Sequence, residues 1–295
     1  MDFFRILKTK IQNLPTSRRT TLIAILFLVW LSFIAYSVWP KPAVKITMLD
    51  VGQGLSVLIE DQNNFQILFD AGDGNSVLPP LAKAMPIWDT HINVIAISHT
   101  HADHIQGFIE ILKRYRIDEV WLIDQESKND IFIELQKVIN SLSPNKPRIK
   151  LGWQRILPSG LQIKALHPSA DFSQTMPEHA HDAGLVLQVL YKKEGLILLA
   201  GDLEAKNEEQ LILNCQNLTS LRCQTDFEIL QVSHHGSKNT SGEEFLQSFF
   251  FNQAWISTGV DNKFNHPHTE ALERLTNFAI IKRTDLDGSQ IYSYK

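Results

Sequence analysis

The segment Ser98-His99-Thr100-His101-Ala102-Asp103-His104 places three imidazoles and a carboxylate within six positions. Each neutral imidazole or carboxylate offers a lone pair to a divalent cation, so H-x-H-x-D-H reads as a metal-ligand loop. Three other segments supply the same chemistry: Asp70 in L-F-D-A-G-D-G, Asp202 in L-L-A-G-D-L-E, and His234-His235 in Q-V-S-H-H-G-S. Eleven histidines against two cysteines favour imidazole and carboxylate ligands over thiolates.

All four segments follow apolar stretches that read as strands, and α/β folds build sites where strands end. Strands are expected at Val44–Met48, Leu55–Glu60, Gln66–Phe69, Val94–Ile97 and Glu119–Ile123. A second group is expected at Leu185–Tyr191, Leu196–Ala200, Phe227–Val232, Ala254–Ser257, Ile280–Arg283 and Gln290–Tyr294. Helical periodicity follows Asp103, spans Asp130–Leu142, and returns near Ala205–Leu213, Gly242–Phe250 and Thr269–Phe278. Two β-rich halves, each followed by helices, imply a layered α/β sandwich.

With 44% hydrophobic and 20% charged residues the chain is globular rather than disordered. The net charge of -4 averages two unlike pieces. Residues 1–20 hold five basic groups and one acidic group, a balance of +4, which leaves -8 for the rest. Between them residues 21–39 carry no charge, a run just long enough to cross a bilayer as a helix. The expected organisation is a basic cytoplasmic stub (1–20), a single transmembrane anchor (21–39), a Pro-containing linker (40–43) and an exported domain (44–295). Ala35-Tyr36-Ser37 offers a small-x-small cleavage site, so a cleaved signal peptide is the alternative. In an oxidising compartment Cys215 and Cys223 could pair, and two buried thiols is the other reading.

Together these segments resemble the metallo-β-lactamase hydrolase superfamily, which implies a four-layered αβ/βα sandwich with two divalent metal ions, zinc first and manganese as the alternative. The resemblance implies that His99 and His101 hold one metal, Asp103 and His104 the other, and Asp202 bridges both. His235 or its neighbour His234 completes the second site. For the third ligand of the first metal His181 fits the family position, with His179 as competitor. Further segments, L-D-V-G-Q-G at 49–54, S-H-H-G-S-K at 233–238, N-H-P-H at 265–268 and R-T-D-L-D-G at 283–288, are similar to the hydrolase domain of the ComEC type of competence DNA-uptake protein. The multi-span channel region of that family is absent from this sequence, and one span makes no pore.

Two divalent ions about 4 Å apart polarise a phosphodiester oxygen and lower the pKa of a water toward neutrality, which is phosphodiesterase chemistry. Asp103 would also orient the nucleophile, and one of His234, His266 or His268 would donate a proton or contact the phosphate. Ser237 and Lys238 are candidate phosphate contacts. Asp70 and Asp50 are expected to support the ligand loops from behind. The N-H-P-H segment could equally be a turn before a helix, and L-D-V-G-Q-G a simple hairpin turn. His91 and His167 fall outside any ligand pattern.

The leading expectation is a nuclease in the plasma membrane that acts on DNA during uptake, beside a DNA-uptake channel protein. The alternatives are a phosphodiesterase on an exported choline- or lipid-linked phosphate and a non-catalytic DNA-binding subunit. A balance of -8 repels a polyanion unless Lys238, Lys263, Arg274, Lys282 and Arg283 gather at the mouth.

Overall fold

The computed structural model describes residues 15–38, 41–169, 176–217 and 223–295. The chain divides into two compact units at Lys41/Pro42. The first contains helix α1 (Thr16–Val38), which forms where the sequence offers an uninterrupted run of Leu, Ile, Ala and Phe without Gly or Pro. From Ile23 to Leu31 its large apolar side chains are 42% to 64% exposed. Counted over the described residues, no helix is long and apolar enough to cross a membrane. Residues 39 and 40 and the side chains of residues 33 and 35–38, at the far end of the expected anchor, lie outside the described residues, as do residues 1–14 of the stub.

The second unit begins with β1 (Val44–Met48), β2 (Val57–Asp61) and β3 (Gln66–Phe69), then α2 (Leu78–Ala84), β4 (His91–Ala96), α3 (Ala102–Leu112), β5 (Arg116–Trp121) and α4 (Asp130–Leu142). It continues through β6 (Gln154–Ile156), β7 (Leu161–His167), β8 (Val186–Tyr191), β9 (Glu194–Leu199), α5 (Ala205–Asn217), β10 (Asp226–Gln231), α6 (Glu243–Ser248) and β11 (Phe250–Ile256). Last come α7 (Thr269–Thr276), β12 (Ile280–Arg283), α8 (Thr284–Asp287) and β13 (Gln290–Tyr294). The strands form two sheets, ordered β13-β1-β2-β3-β4-β5 and β12-β11-β10-β9-β8-β7-β6.

The period of two in the strands distributes their side chains between separate cores. Val57, Ile59, Ile67, Phe69, Val94 and Trp121 of the first sheet meet Ile163, Leu187, Ile197, Ile229 and Trp255 of the second, which makes the layer between the sheets. The alternate residues Leu58, Leu68 and Ile95 face outward under Leu81 of α2, Phe108 of α3 and Leu135 of α4. On the other side Leu198, Leu230 and Ala254 pack under Leu211 of α5, Phe245 of α6 and Leu275 of α7. The result is the αβ/βα four-layer sandwich.

Several elements were not expected from sequence. β6 is exposed along its length, so it carries no apolar signal, and β7 interrupts its apolar positions with Gln162 and Lys164. α2 opens with Pro79-Pro80, which reads as a loop although proline is tolerated where helix N–H groups lack partners anyway. Cys215 and Cys223 are joined in a disulfide.

The strands leading to the chemistry run side by side. β3, β4 and β5 are parallel, as are β9, β10, β11 and β12. Asp70, His99, Asp202 and His234 each follow one of them at its C-terminal end, so four distant segments arrive at one edge.

Candidate metal centre

After β4 the chain turns through Ser98 to Thr100, and α3 starts with His101 as its N-cap. Asp103 and His104 therefore sit in the first helical turn, with Asp103 partly open and His104 fully buried. Close packing fixes this loop from below. A Cβ on Gly54 would stand 2.4 Å from the Asp103 carbonyl oxygen, and Gly54 has φ +135, a conformation in which glycine alone is comfortable. The L-D-V-G-Q-G segment is thus a support for the ligand loop, and the N–H of the next residue, Leu55, donates to the Asp103 carbonyl at 3.3 Å.

Each buried imidazole is held by one ring nitrogen and presents the other. His104 Nδ1 lies 2.7 Å from Asp70 Oδ2, while Asp70 Oδ1 accepts from the Ser98 N–H at 2.7 Å. His99 Nδ1 meets Ser98 Oγ at 2.9 Å, His181 Nδ1 meets Glu204 Oε1 at 2.8 Å, and His235 Nδ1 donates to the Ser257 carbonyl at 2.8 Å. All four therefore direct Nε2 inward, the arrangement by which outer partners set a ligand's tautomer. His101 instead turns Nδ1 inward, 3.3 Å from His181 Nε2.

The inward atoms fall into two groups that share Asp202. His99, His101 and His181 form one; Asp103, His104 and His235 form the other. Asp202 Oδ1 lies 3.3 Å from His104 Nε2, and Oδ2 lies 3.8 Å from His99, 4.0 Å from His181 and 3.9 Å from His235. His235 Nε2 lies 3.4 Å from Asp103 Oδ2. His234 Nε2 is 3.8 Å from Asp202 Oδ2, and this residue also groups with His181 and Glu204.

These residues fit a pair of divalent cations. His99 Nε2, His104 Nε2, His235 Nε2 and Asp202 Oδ1 are all buried and have no hydrogen-bond partner. An unsatisfied buried polar group costs about 1–3 kcal/mol, so four converging on one space are explained by cations that accept their lone pairs. The electrostatics of the first group and of Asp202 agree. Burial, with His104 next, lowers the pKa of His99 well below its ordinary value, and burial with His181 lowers His101, so both are lone-pair donors. Burial alone would raise the Asp202 carboxyl, but His104 and His235 outweigh it and hold the group well below the usual range.

The other expected residues divide. Asp70 stands behind His104, as described. Asp50 is exposed and accepts from the Gly52 N–H two residues on, inside the same segment. His179 caps the short turn Ala180–Ala183, whereas His181 within that turn points into the cluster. Of the phosphate candidates Ser237 is buried, its hydroxyl accepting from the Asn239 N–H at 3.4 Å, and Lys238 is exposed. Arg274 is not free for phosphate, because its guanidinium donates to the carbonyls of Lys238, Thr240 and Ser241. Arg283 is paired with Asp285.

His266 and His268 stand beside the second group. The His266 ring lies 5.6 Å from His234 and 6.2 Å from His235, and burial followed by those two histidines lowers its pKa to about 4. His268 Nδ1 accepts from the Lys238 N–H at 3.2 Å, which leaves its proton on Nε2. His268 is also the N-cap of α7, so N-H-P-H is both turn and wall of the site. His91 pairs with Asp118 and His167 with the Gly184 carbonyl, away from the cluster. Glu204 and Ser257 were missed. Glu204 had a local signal, two residues past Asp202, while Ser257 contributes a backbone carbonyl that no residue type betrays.

Five histidines and two aspartates gathered at the strand ends of an αβ/βα sandwich define a metal-dependent hydrolase. Residues 49–260 match the metallo-beta-lactamase superfamily, and the chain belongs to it. Among its relatives are ComE operon protein 3 of Bacillus subtilis, 26% identical over 85% of this chain and 33% of that protein, and recombination protein 2 of Haemophilus influenzae, 30% identical over 84% and 28%. The chain thus spans about a third of the length of these competence-related proteins. The metallo-beta-lactamase fold protein YhfI of Bacillus subtilis shares the fold, with a TM-score of 0.55 at 9% identity over 85% of this chain and 99% of that one.

Proposed function

We propose that the chain is a membrane-tethered nuclease, cleaving phosphodiesters of DNA with two divalent cations, zinc first and manganese as the alternative. The observation that carries this reading is Asp202 lying between two three-residue groups, with Nε2 of His99, His104 and His235 and Oδ1 of Asp202 buried and without a hydrogen-bond partner among the described residues. A bound pair of divalent cations supplies Lewis acidity to a phosphoryl oxygen and an acidified water. The chain's own residues do the rest. Asp103, one-third exposed at the mouth, orients the attacking water. His268 offers its Nε2–H to a phosphate oxygen, and His234, partly exposed beside Asp202, is placed to pass a proton to the leaving oxygen.

DNA as substrate is supported by the competence-related relatives, and export by the +4 stub before an uncharged run and by the disulfide. On this reading residues 21–39 are the anchor, the hydrolase domain is extracytoplasmic, and a DNA-uptake channel is its partner. The acidic balance favours a second reading, a small exported diester, since Arg274 and Arg283 are engaged elsewhere. The deciding experiment gives the full chain zinc or manganese and offers single- and double-stranded DNA, RNA and bis(p-nitrophenyl) phosphate in parallel. Metal-dependent cutting of DNA, lost in His101→Ala, is the expected result. Equal rates on DNA and the small diester would remove the nucleic-acid preference, and no hydrolysis with either metal would remove the enzyme. A reporter fused after Lys295 that works only in the cytoplasm would overturn the topology.

A further inference from the structure

Between β11 and α7 the chain makes a loop whose tip carries Phe264, 48% exposed, at the metal-bearing edge. One side chain braces the backbone of that loop. Asn262 Nδ2 donates to Thr258 Oγ1, the Gly259 carbonyl and the His266 carbonyl, and its Oδ1 accepts from the N–H groups of Phe264 and His266. Asp261 and Asn265 on either side take positive φ values of 51 and 56, a conformation their short polar side chains tolerate. The Phe264 ring lies nearly parallel to His266, centroids 5.8 Å apart at 24°, and His266 stacks in turn at 29° on His235. A ladder of rings therefore runs from a metal-site histidine out to a half-exposed phenyl ring.

We propose that Phe264 is a nucleobase-stacking subsite that selects an unpaired strand, with Lys263 taking the adjoining phosphate. This rests on the phosphodiesterase reading above and names its substrate more closely. A flat, half-exposed ring on a braced loop beside a phosphodiester site, covered only by the flexible Lys263 side chain and His266 among the contacts described, matches the platforms on which single-stranded nucleic acids stack irrespective of sequence. Bases inside a duplex are stacked on one another and cannot reach it, so the subsite discriminates by pairing. Lys263 decides between ligand classes. Its ammonium lies 5.0 Å from the Phe264 centroid, where it would repel a choline headgroup but can swing onto a nucleotide phosphate. A quaternary ammonium is also normally held by a cage of several rings rather than one.

The test is an abasic scan on the full chain with its metal. A single-stranded oligothymidylate is compared with versions lacking one base at successive positions around the cut. In the unaltered chain one missing base lowers kcat/KM about ten-fold; in Phe264→Ala that same omission costs nothing further, and Phe264→Trp restores the penalty. An equal penalty in the unaltered chain and Phe264→Ala, or none in either, overturns the subsite. Binding keeps its failure apart from that of the nuclease. In the His101→Ala background, an oligonucleotide carrying 2-aminopurine at the sensitive position, or at each position in turn if nothing is cut, is quenched by stacking. Quenching that disappears with Phe264→Ala supports the subsite even if the unaltered chain cuts nothing, and absence of quenching overturns it even if the chain cuts DNA.

Discussion

Asp70→Asn separates the tautomer of a ligand from the packing around it. Asp70 is fully buried and uses both oxygens, one on the Ser98 N–H and one on His104 Nδ1, each at 2.7 Å. An ionised carboxylate only accepts, so the His104 proton sits on Nδ1, facing Asp70 Oδ2. Asparagine keeps the shape and the oxygen facing Ser98, but puts an amide N–H₂ against Nδ1. Either two donors confront each other in a dry site, or His104 takes the other tautomer and carries its proton on Nε2. That proton would point at Asp202 Oδ1, 3.3 Å away, where the lone pair for a cation belongs. Loss of such an outer partner weakens metal binding by roughly 10–100-fold, which is about 1.4–2.8 kcal/mol. Competition against a chromophoric chelator on the full chain measures it. Of two zinc equivalents one, in the group of Asp103, His104 and His235, should weaken by that factor while the other holds. Two equivalents with unaltered affinity would refute the tautomer argument; loss of both together with the folded state would assign Asp70 to packing alone.

Glu208 gives a pH prediction away from the ligands. Burial pushes its carboxyl up to about 6, against the N–H groups of Gly242 and Ser241 that it accepts from. A folded pKa above the unfolded 4.5 means this group's contribution is fully present below pH 4.5 and lost as pH rises through 6. The loss is about 2 kcal/mol, so denaturation at pH 4.5 and 7 should differ by about that much less in Glu208→Gln than in the unaltered chain, and identical pH dependence would refute it. Gly107→Ala would put a Cβ 1.9 Å from the Ala71 carbonyl oxygen, with backbone on both sides and nothing flexible to yield. Its expected cost is about 1–3 kcal/mol, read as a lowered denaturation midpoint; a midpoint equal to that of the unaltered chain would show that α3 can shift freely. Chelation should lower Tm, since a ligand at a thousand times its Kd stabilises the folded state by about 4 kcal/mol; a Tm indifferent to chelator would count against the metal centre.

What the sequence disclosed was whatever is local. H-x-H-x-D-H needs only a strand end and one helical turn to gather its donors, so His99 to His104 could be read without knowing the fold. Helix boundaries such as Asp130–Leu142 were legible because Asn129 caps the N-terminus and the apolar period persists throughout. The choice between His179 and His181 was not local, because it depends on Glu204, which takes Nδ1 of the second and leaves the first to cap a turn. Arg274 and Arg283 counted among the basic groups that could offset the acidic balance at the mouth, because a charge count cannot tell a free guanidinium from one committed to loop carbonyls or to Asp285.

The same reasoning explains why R-T-D-L-D-G, which carries no ligand, belongs to the site. Thr284 Oγ1 donates to the Thr258 carbonyl and accepts from the Thr258 N–H. That exchange fixes the backbone next to Ser257, whose carbonyl orients His235 and whose hydroxyl reaches the Gly54 carbonyl beneath Asp103. His235 enters the site at φ 56, immediately after His234 at φ 49, successive left-handed residues that cost roughly 1–2 kcal/mol each in a free chain. A ligand in that conformation persists only where neighbours over-determine it. The motif near the C-terminus supplies part of that constraint. A chain can therefore keep its imidazoles and still lose the second cation if Thr284 no longer braces the strand end that aims His235.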